Sequence, residues 1–329
     1  MNKIKTNYGA AIRSAFDYLL RSYPDTFIIG QGVWSPWYVG NTMTDLEKKF
    51  GKDRVIDTPV SESACTGAAV GASITGMRPI VVHPRIDFML YAMDAIVNQA
   101  AKWSSMTGGQ SNPNVTIRGI INRGGEQGAQ HSQALHNWFV HVPGLRVVMP
   151  STVSDARDLL IASVLSPDPV VYIDDRWLYD EEDDLEEINE IKLSTQKPKI
   201  TTFGSDVTLV GSGHSSLLLR NCEKELRTNN ISPEIIDIRI LNPLNVDEII
   251  KSVRKTRNLV VVDSGTLTGG FSGEIIASVV EKLEVKCLNH PPVRIALPDA
   301  PAPTSSTLED VYYVKTNEII NTIKRILKK

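Results

Sequence analysis

Short β-branched runs alternate with longer stretches of helical period up to about residue 175, and this alternation calls for a parallel sheet covered by helices. The runs predict strands at Thr26–Gly30, Val55–Thr58, Pro79–His83, Val115–Ile121, Arg146–Met149 and Val170–Ile173. Helices are predicted at Ala10–Arg21, Ser63–Thr75, Phe88–Thr107 and Ser154–Leu165. The last begins PSTVSDARDLL, where a Ser or Thr ahead of Asp155 provides an N-cap and the acid suits the positive end of the helix. From Asp180 to Lys199 the apolar periodicity fades into EEDDLEEINEIKLSTQKPK, which reads as an exposed linker. The βα alternation then resumes through DVTLVGSG, EIIDIRIL and NLVVVDSG, with helices at Leu217–Leu226, near Val246–Arg254, from Gly273 and at Asn317–Ile326. The expected class is α/β: a parallel-sheet domain at 1–180, a charged linker at 181–200 and a smaller α/β domain at 201–329.

At 329 residues the chain is too long for one ordinary core, which agrees with two domains. A net charge of -3 gives no basic excess, so neither nucleic acid nor an anionic membrane surface is an expected partner. Cys65, Cys222 and Cys287 are odd in number and widely spaced, which fits buried thiols in a reducing compartment rather than a disulfide framework or a zinc site. The first residues lack a signal-peptide core, and no stretch approaches the roughly 18 apolar residues of a membrane helix, so a cytoplasmic location is expected.

Three clusters carry candidate chemistry. In DTPVSESACTGAAVGASITG a strand delivers Glu62 to the start of an Ala/Gly-rich helix, at the carboxyl end where open α/β sheets place ligands. Glu62 either faces a ligand or only favours the positive end of the helix, worth roughly 0.3–1 kcal/mol. The small residues after it, Ala64, Thr66, Gly67, Ala68, Ala69 and Gly71, are either close helix packing or room for a neighbouring subunit's backbone. In NRGGEQGAQHSQALHNWFVHVPGL, His131 follows a Gly-rich loop after a strand, a position typical of groups that face substrate; His136 and His141 flank an amphipathic patch and read as packing residues. In HPRIDFMLYAMDAIVNQAAKW, Phe88 is either a core residue or an aromatic face for a planar ring, and Arg85 either a surface charge or a fork for a carboxylate.

Taken in order, DTPVSE with its Ala/Gly helix, DFMLYAMDAIVNQAAK, GAQHSQ, HVPGLRVVMPSTVSDARDLL, PDPVVYID, DVTLVGSG, EIIDIRILNPLN, NLVVVDSG, TGGFSGEI and LPDAPAP resemble the beta subunit of pyruvate-dehydrogenase-type 2-oxo-acid dehydrogenases across nearly the whole chain. The resemblance implies a transketolase-like pyrimidine-binding domain followed by a transketolase C-terminal domain. It implies thiamine diphosphate shared with an alpha chain, with Glu62 hydrogen-bonding the aminopyrimidine and controlling its tautomer. Phe88 and Gln31 would contact the cofactor, while His131 and Arg85 would face substrate. It further implies a potassium ion near SPDPVVYIDD with Asp174 as a ligand, an α2β2 assembly and a lipoyl acyltransferase as a further partner. The relatives anchor magnesium and diphosphate through a GDG…N motif on the alpha chain, and this sequence has no GDG, so it should be inactive alone.

One departure bears on substrate. The family commonly has an acid, in a segment reading like GEDV, where this chain has Gln31, and an amide cannot carry a proton as a carboxylic acid does. The segment His83–Pro84–Arg85 is also unusual for the resembled family. Two alternatives remain beside the dehydrogenase: the carboxyl-terminal half of a split transketolase-like enzyme or carboligase, and a degenerate subunit kept for assembly.

Overall fold

The computed structural model describes residues 4–284 and 286–328, which divide into two compact units. The first unit comprises residues up to Asn122 together with Trp138–Gln196; the second comprises Arg123–Asn137 and the chain from Lys197 onward. Among the described residues, no helix is long and apolar enough to cross a membrane.

In the first unit, strands β1 (Thr26–Gln31), β2 (Val55–Thr58), β3 (Arg78–His83), β4 (Thr116–Ile121), β5 (Arg146–Val148) and β6 (Val170–Asp175) lie in the order β5-β6-β4-β3-β1-β2, every pair parallel. The strands stand where the β-branched runs place them, with ends shifted by one or two residues. Strands β4 and β6 are buried along their whole length, the signature of a parallel sheet covered on both faces. Helix α1 (Tyr8–Ser22) starts at Asn7, whose side chain accepts from the Ala10 N–H at 2.8 Å. It buries Ile12, Phe16, Leu19 and Leu20 along one face against helix α3 (Val153–Val164). Each such side chain contributes roughly 1.5–3 kcal/mol of burial. The expected cap of α3 is present, with Thr152 accepting from the Asp155 N–H at 3.2 Å.

Two expectations change. The single helix predicted over Phe88–Thr107 is a series of turns instead: Ile86–Met89 helical, Leu90–Ala92 3-10, Asp94–Ala100 π and Ala101–Met106 α-helical. Burial spacing explains the winding. Ile86, Met89 and Ala92 recur every three residues, the 3-10 period, whereas Ala95 and Ile96 are followed by Ala100 and Ala101 five residues on, which a π turn brings to one side. The charged stretch 181–200 is mostly exposed but not detached. Glu182–Leu185 pairs antiparallel with Ile4–Asn7, Leu185 and Leu193 are buried, and Glu190 accepts from the hydroxyls of Tyr18 and Tyr23.

The second unit holds strands β7 (Lys199–Thr202), β8 (Val207–Gly211), β9 (Pro233–Asp237), β10 (Leu259–Thr266) and β11 (Val293–Leu297) in the order β11-β10-β8-β9-β7. All pairs are parallel except the edge strand β7. Helices α4 (His214–Thr228), α5 (Asp247–Thr256), α6 (Phe271–Val280) and α7 (Thr316–Leu327) follow the predicted segments. Ile319, Ile320, Ile323 and Ile326 of α7 form one apolar stripe packed on Leu219, Cys222 and Leu226 of α4.

Candidate active site

The chain leaves β1 to pair β2 on one side, then crosses to pair β3 on the other, so β1 marks the point where strand order reverses. Open α/β sheets bind ligands in the crevice at that point, outside the carboxyl ends of the strands. Here the crevice is a cleft lined by Gln31 from the end of β1, Thr58 from the end of β2, His83 and Pro84 from the end of β3, and Glu62 and Cys65 from the helix that follows. The strands come very close together here. A Cβ on Gly30 would lie 2.2 Å from the Val82 carbonyl oxygen, so the position before Gln31 admits no side chain.

Glu62 opens helix α2 (Glu62–Ile74) and is half-buried in the cleft wall. Both readings of this residue hold together, since it is the acid of the first helical turn and also lines the cleft. Among the described residues none hydrogen-bonds its carboxylate. Deeper in the cleft the Thr58 hydroxyl is buried without a partner. His83 is 3 % exposed, its Nε2 lies 3.2 Å from the Thr66 hydroxyl, and burial pushes its pKa down to about 4. The small residues of α2 divide between two faces: Thr66 and Ala69 are buried within this chain, whereas Gly67 and Gly71 have nothing within 4 Å of an added Cβ and Ala64 and Ala68 are exposed.

The cleft thus gathers Glu62 and Gln31 but not every expected residue. Arg85 and Phe88 lie just past the end of β3, half-buried, and are not among the residues lining the cleft. Burial, and then the charge of Arg176, lower the pKa of Arg85 against the pull of Asp87. Asp174 is fully buried and its oxygens are engaged, receiving Arg118 Nε at 2.8 Å, Arg118 Nη2 at 2.7 Å and the Tyr179 hydroxyl at 2.5 Å. Engaged in this way, the Asp174 carboxylate does not fit a potassium ligand.

His131 sits half-buried in a 3-10 turn, Ala129–His131, reached through Gly124, Gly125 and Gly128, all at positive φ. Its segment is strapped to the second unit. Arg123 donates to the Ser264 carbonyl at 3.1 Å, the Glu126 N–H donates to the Glu309 carboxylate at 3.1 Å, and the Ser306 N–H donates to the Glu126 carboxylate at 3.1 Å. His136 is the residue that pattern reading undervalued. It is buried, as a packing residue should be, but hydrogen-bonded, with Nε2 3.0 Å from Asp263 Oδ1. His141, read the same way, is exposed.

Burial works against the charge on Asp263, but His136 and the N–H groups of Gly265 and Ser272 outweigh it and hold its pKa down to about 2. Because the folded value lies below the ordinary carboxylate range, the stabilisation is complete above about pH 4 and is lost as pH falls toward 2, by about 2 kcal/mol. Denaturant titration at pH 5 and pH 2 should show it. The stability gap between the native chain and Asp263→Asn should narrow by that amount at the lower pH, and a pH-independent gap would refute the assignment.

Residues 4–181 match the transketolase pyrimidine-binding domain and residues 196–319 the transketolase C-terminal domain. The chain is 34 % identical over 319 residues to the pyruvate dehydrogenase E1 component subunit beta of Rhizobium meliloti, covering 97 % of this chain and 69 % of that one. It belongs to this family of E1 beta subunits. The Arabidopsis thaliana mitochondrial subunit beta-1 is 36 % identical over 96 % of this chain and 87 % of its own length. The Saccharomyces cerevisiae mitochondrial subunit is 35 % identical over the same shares. Among solved structures, an inactive beta4 tetramer of a split-gene transketolase superposes with a TM-score of 0.76, covering 97 % of both chains at 17 % identity, which shows the fold the E1 beta chain shares.

Proposed function

We propose that this E1 beta chain works with an alpha chain as a thiamine-diphosphate-dependent 2-oxo-acid dehydrogenase that decarboxylates a 2-oxo acid and passes the acyl group to a lipoyl carrier. The observation that carries the reading is the Glu62 carboxylate standing in a cleft at the strand-order reversal of the pyrimidine-binding domain. The cleft suits an aminopyrimidine: it offers a carboxylate, a buried unpartnered hydroxyl at Thr58, and apolar wall from Val81 and Val82. When bound, the cofactor supplies a nucleophilic carbon and an electron sink for decarboxylation.

The chain's residues hold and move protons around it. Glu62 would hydrogen-bond a ring nitrogen of the aminopyrimidine and so favour one tautomer, and His131 would act as a proton donor toward substrate. Phe88 flanks the cofactor and Arg85 a substrate carboxylate. Magnesium is assigned to the alpha chain of an α2β2 assembly, because the GDG…N motif that anchors it in the relatives does not occur in this sequence. A lipoyl acyltransferase partner and a cytoplasmic location complete the reading. Exposed Gly67 and Gly71 on α2 suit close approach of another chain's backbone.

Co-purified alpha and beta chains should bind thiamine diphosphate by calorimetry, release carbon dioxide from a 2-oxo acid and acylate a lipoyl domain, while the beta chain alone does none of these. A complex that binds no cofactor would overturn the reading. Gln31 favours one second outcome, since a neutral amide in the cleft suits carboligation as well. Turnover that needs an aldehyde or sugar acceptor and leaves lipoyl domains unmodified would select it.

A further inference from the structure

His83 stands where a buried strand residue is ordinarily apolar. Pro79, Ile80, Val81 and Val82 precede it in β3, all buried, and the imidazole at the strand's end is as deeply buried as they are. A buried polar ring without a partner would cost free energy, and here Thr66, itself fully buried, supplies the partner at 3.2 Å. Thr66 lies four residues after Glu62 in α2, so the two side chains share one face of the helix. The start of that helix lacks its usual restraint, because Ser61 at the N-cap position makes no capping bond and its hydroxyl turns to the Val60 carbonyl. The His83–Thr66 bond thus adds a side-chain link between the first turns of α2 and the end of β3, both of which line the cleft.

We propose that His83 is a positioning residue of the cofactor cleft, fixing through Thr66 the helix turn that carries Glu62. This inference rests on the cofactor reading given above. A charged imidazole would add a buried cation to the cleft that His83 and Glu62 both line. Burial keeps His83 uncharged at any pH above about 4.

The test uses the alpha–beta complex with three variants, His83→Phe, His83→Gln and Thr66→Val, each first checked for native melting and assembly. Calorimetry measures thiamine diphosphate affinity; near-ultraviolet circular dichroism follows the aminopyrimidine tautomer against pH; kinetics separate kcat from KM. His83→Phe and Thr66→Val should each weaken cofactor binding by about tenfold and move the tautomer transition, and His83→Gln, which can still hydrogen-bond Thr66, should recover most of both. Unchanged affinity and tautomer profile in a folded His83→Phe or Thr66→Val complex would overturn the inference while leaving the cofactor reading standing. If His83→Phe unfolds, Thr66→Val decides alone. A wild-type complex that binds no thiamine diphosphate overturns both.

Discussion

Glu62→Gln in the alpha–beta complex should lower 2-oxo-acid decarboxylation by about 10²–10⁴-fold, the range expected when a positioned acid–base group is lost. The substitution keeps the length and hydrogen-bonding shape of the side chain while removing its ability to hold and release a proton. Stability should barely change. Glu62 is a half-buried first-turn acid, none of the described residues hydrogen-bonds its carboxylate, and losing its favourable placement at the helix start costs roughly 0.3–1 kcal/mol. Carbon dioxide release and a melting curve on the same preparation separate the two effects. Turnover within tenfold of wild type, in a complex that melts normally, would remove Glu62 from the mechanism.

The position of Glu62 was legible because it depends on local pattern. A β-branched run, a Thr-Pro break and an Ala/Gly helix place a residue at a strand's carboxyl end, whatever the rest of the chain does. The α/β class was legible for the same reason. What pattern could not reach depends on partners distant in sequence. His136 meets Asp263 across 127 residues, and nothing local distinguishes it from the neighbouring exposed His141. The broken helix after β3 is an intermediate case: its apolar residues are visible in the sequence, but their three- and five-residue spacings point to 3-10 and π turns only once burial says which of them face inward. Thr66 likewise reads as one small residue among several until His83 is seen against it.

Asp174 shows how register converts an ambiguous carboxylate into a structural one. Strands β4 and β6 pair with Arg118 opposite Tyr172 and Ile120 opposite Asp174, so Arg118 and Asp174 project on the same face as diagonal neighbours. Both are fully buried, joined by two bonds of 2.8 and 2.7 Å, and Arg118 also reaches the Thr42 hydroxyl at 3.0 Å and the Tyr179 hydroxyl at 3.0 Å. Burial disfavours the Arg118 charge, but Asp174 outweighs it and raises its pKa, so the cation cannot escape by losing its proton. Asp174→Ala should therefore destabilise the chain by about 3–5 kcal/mol, because it strands an unpaired guanidinium in the core. Replacing both partners, Arg118→Met with Asp174→Leu, should be less damaging than Asp174→Ala alone, since no charge is left buried. Urea denaturation of the single and double variants gives the comparison. Asp174→Ala within about 1 kcal/mol of wild type would mean that water or a side-chain shift relieves Arg118, and that its charge does not depend on Asp174.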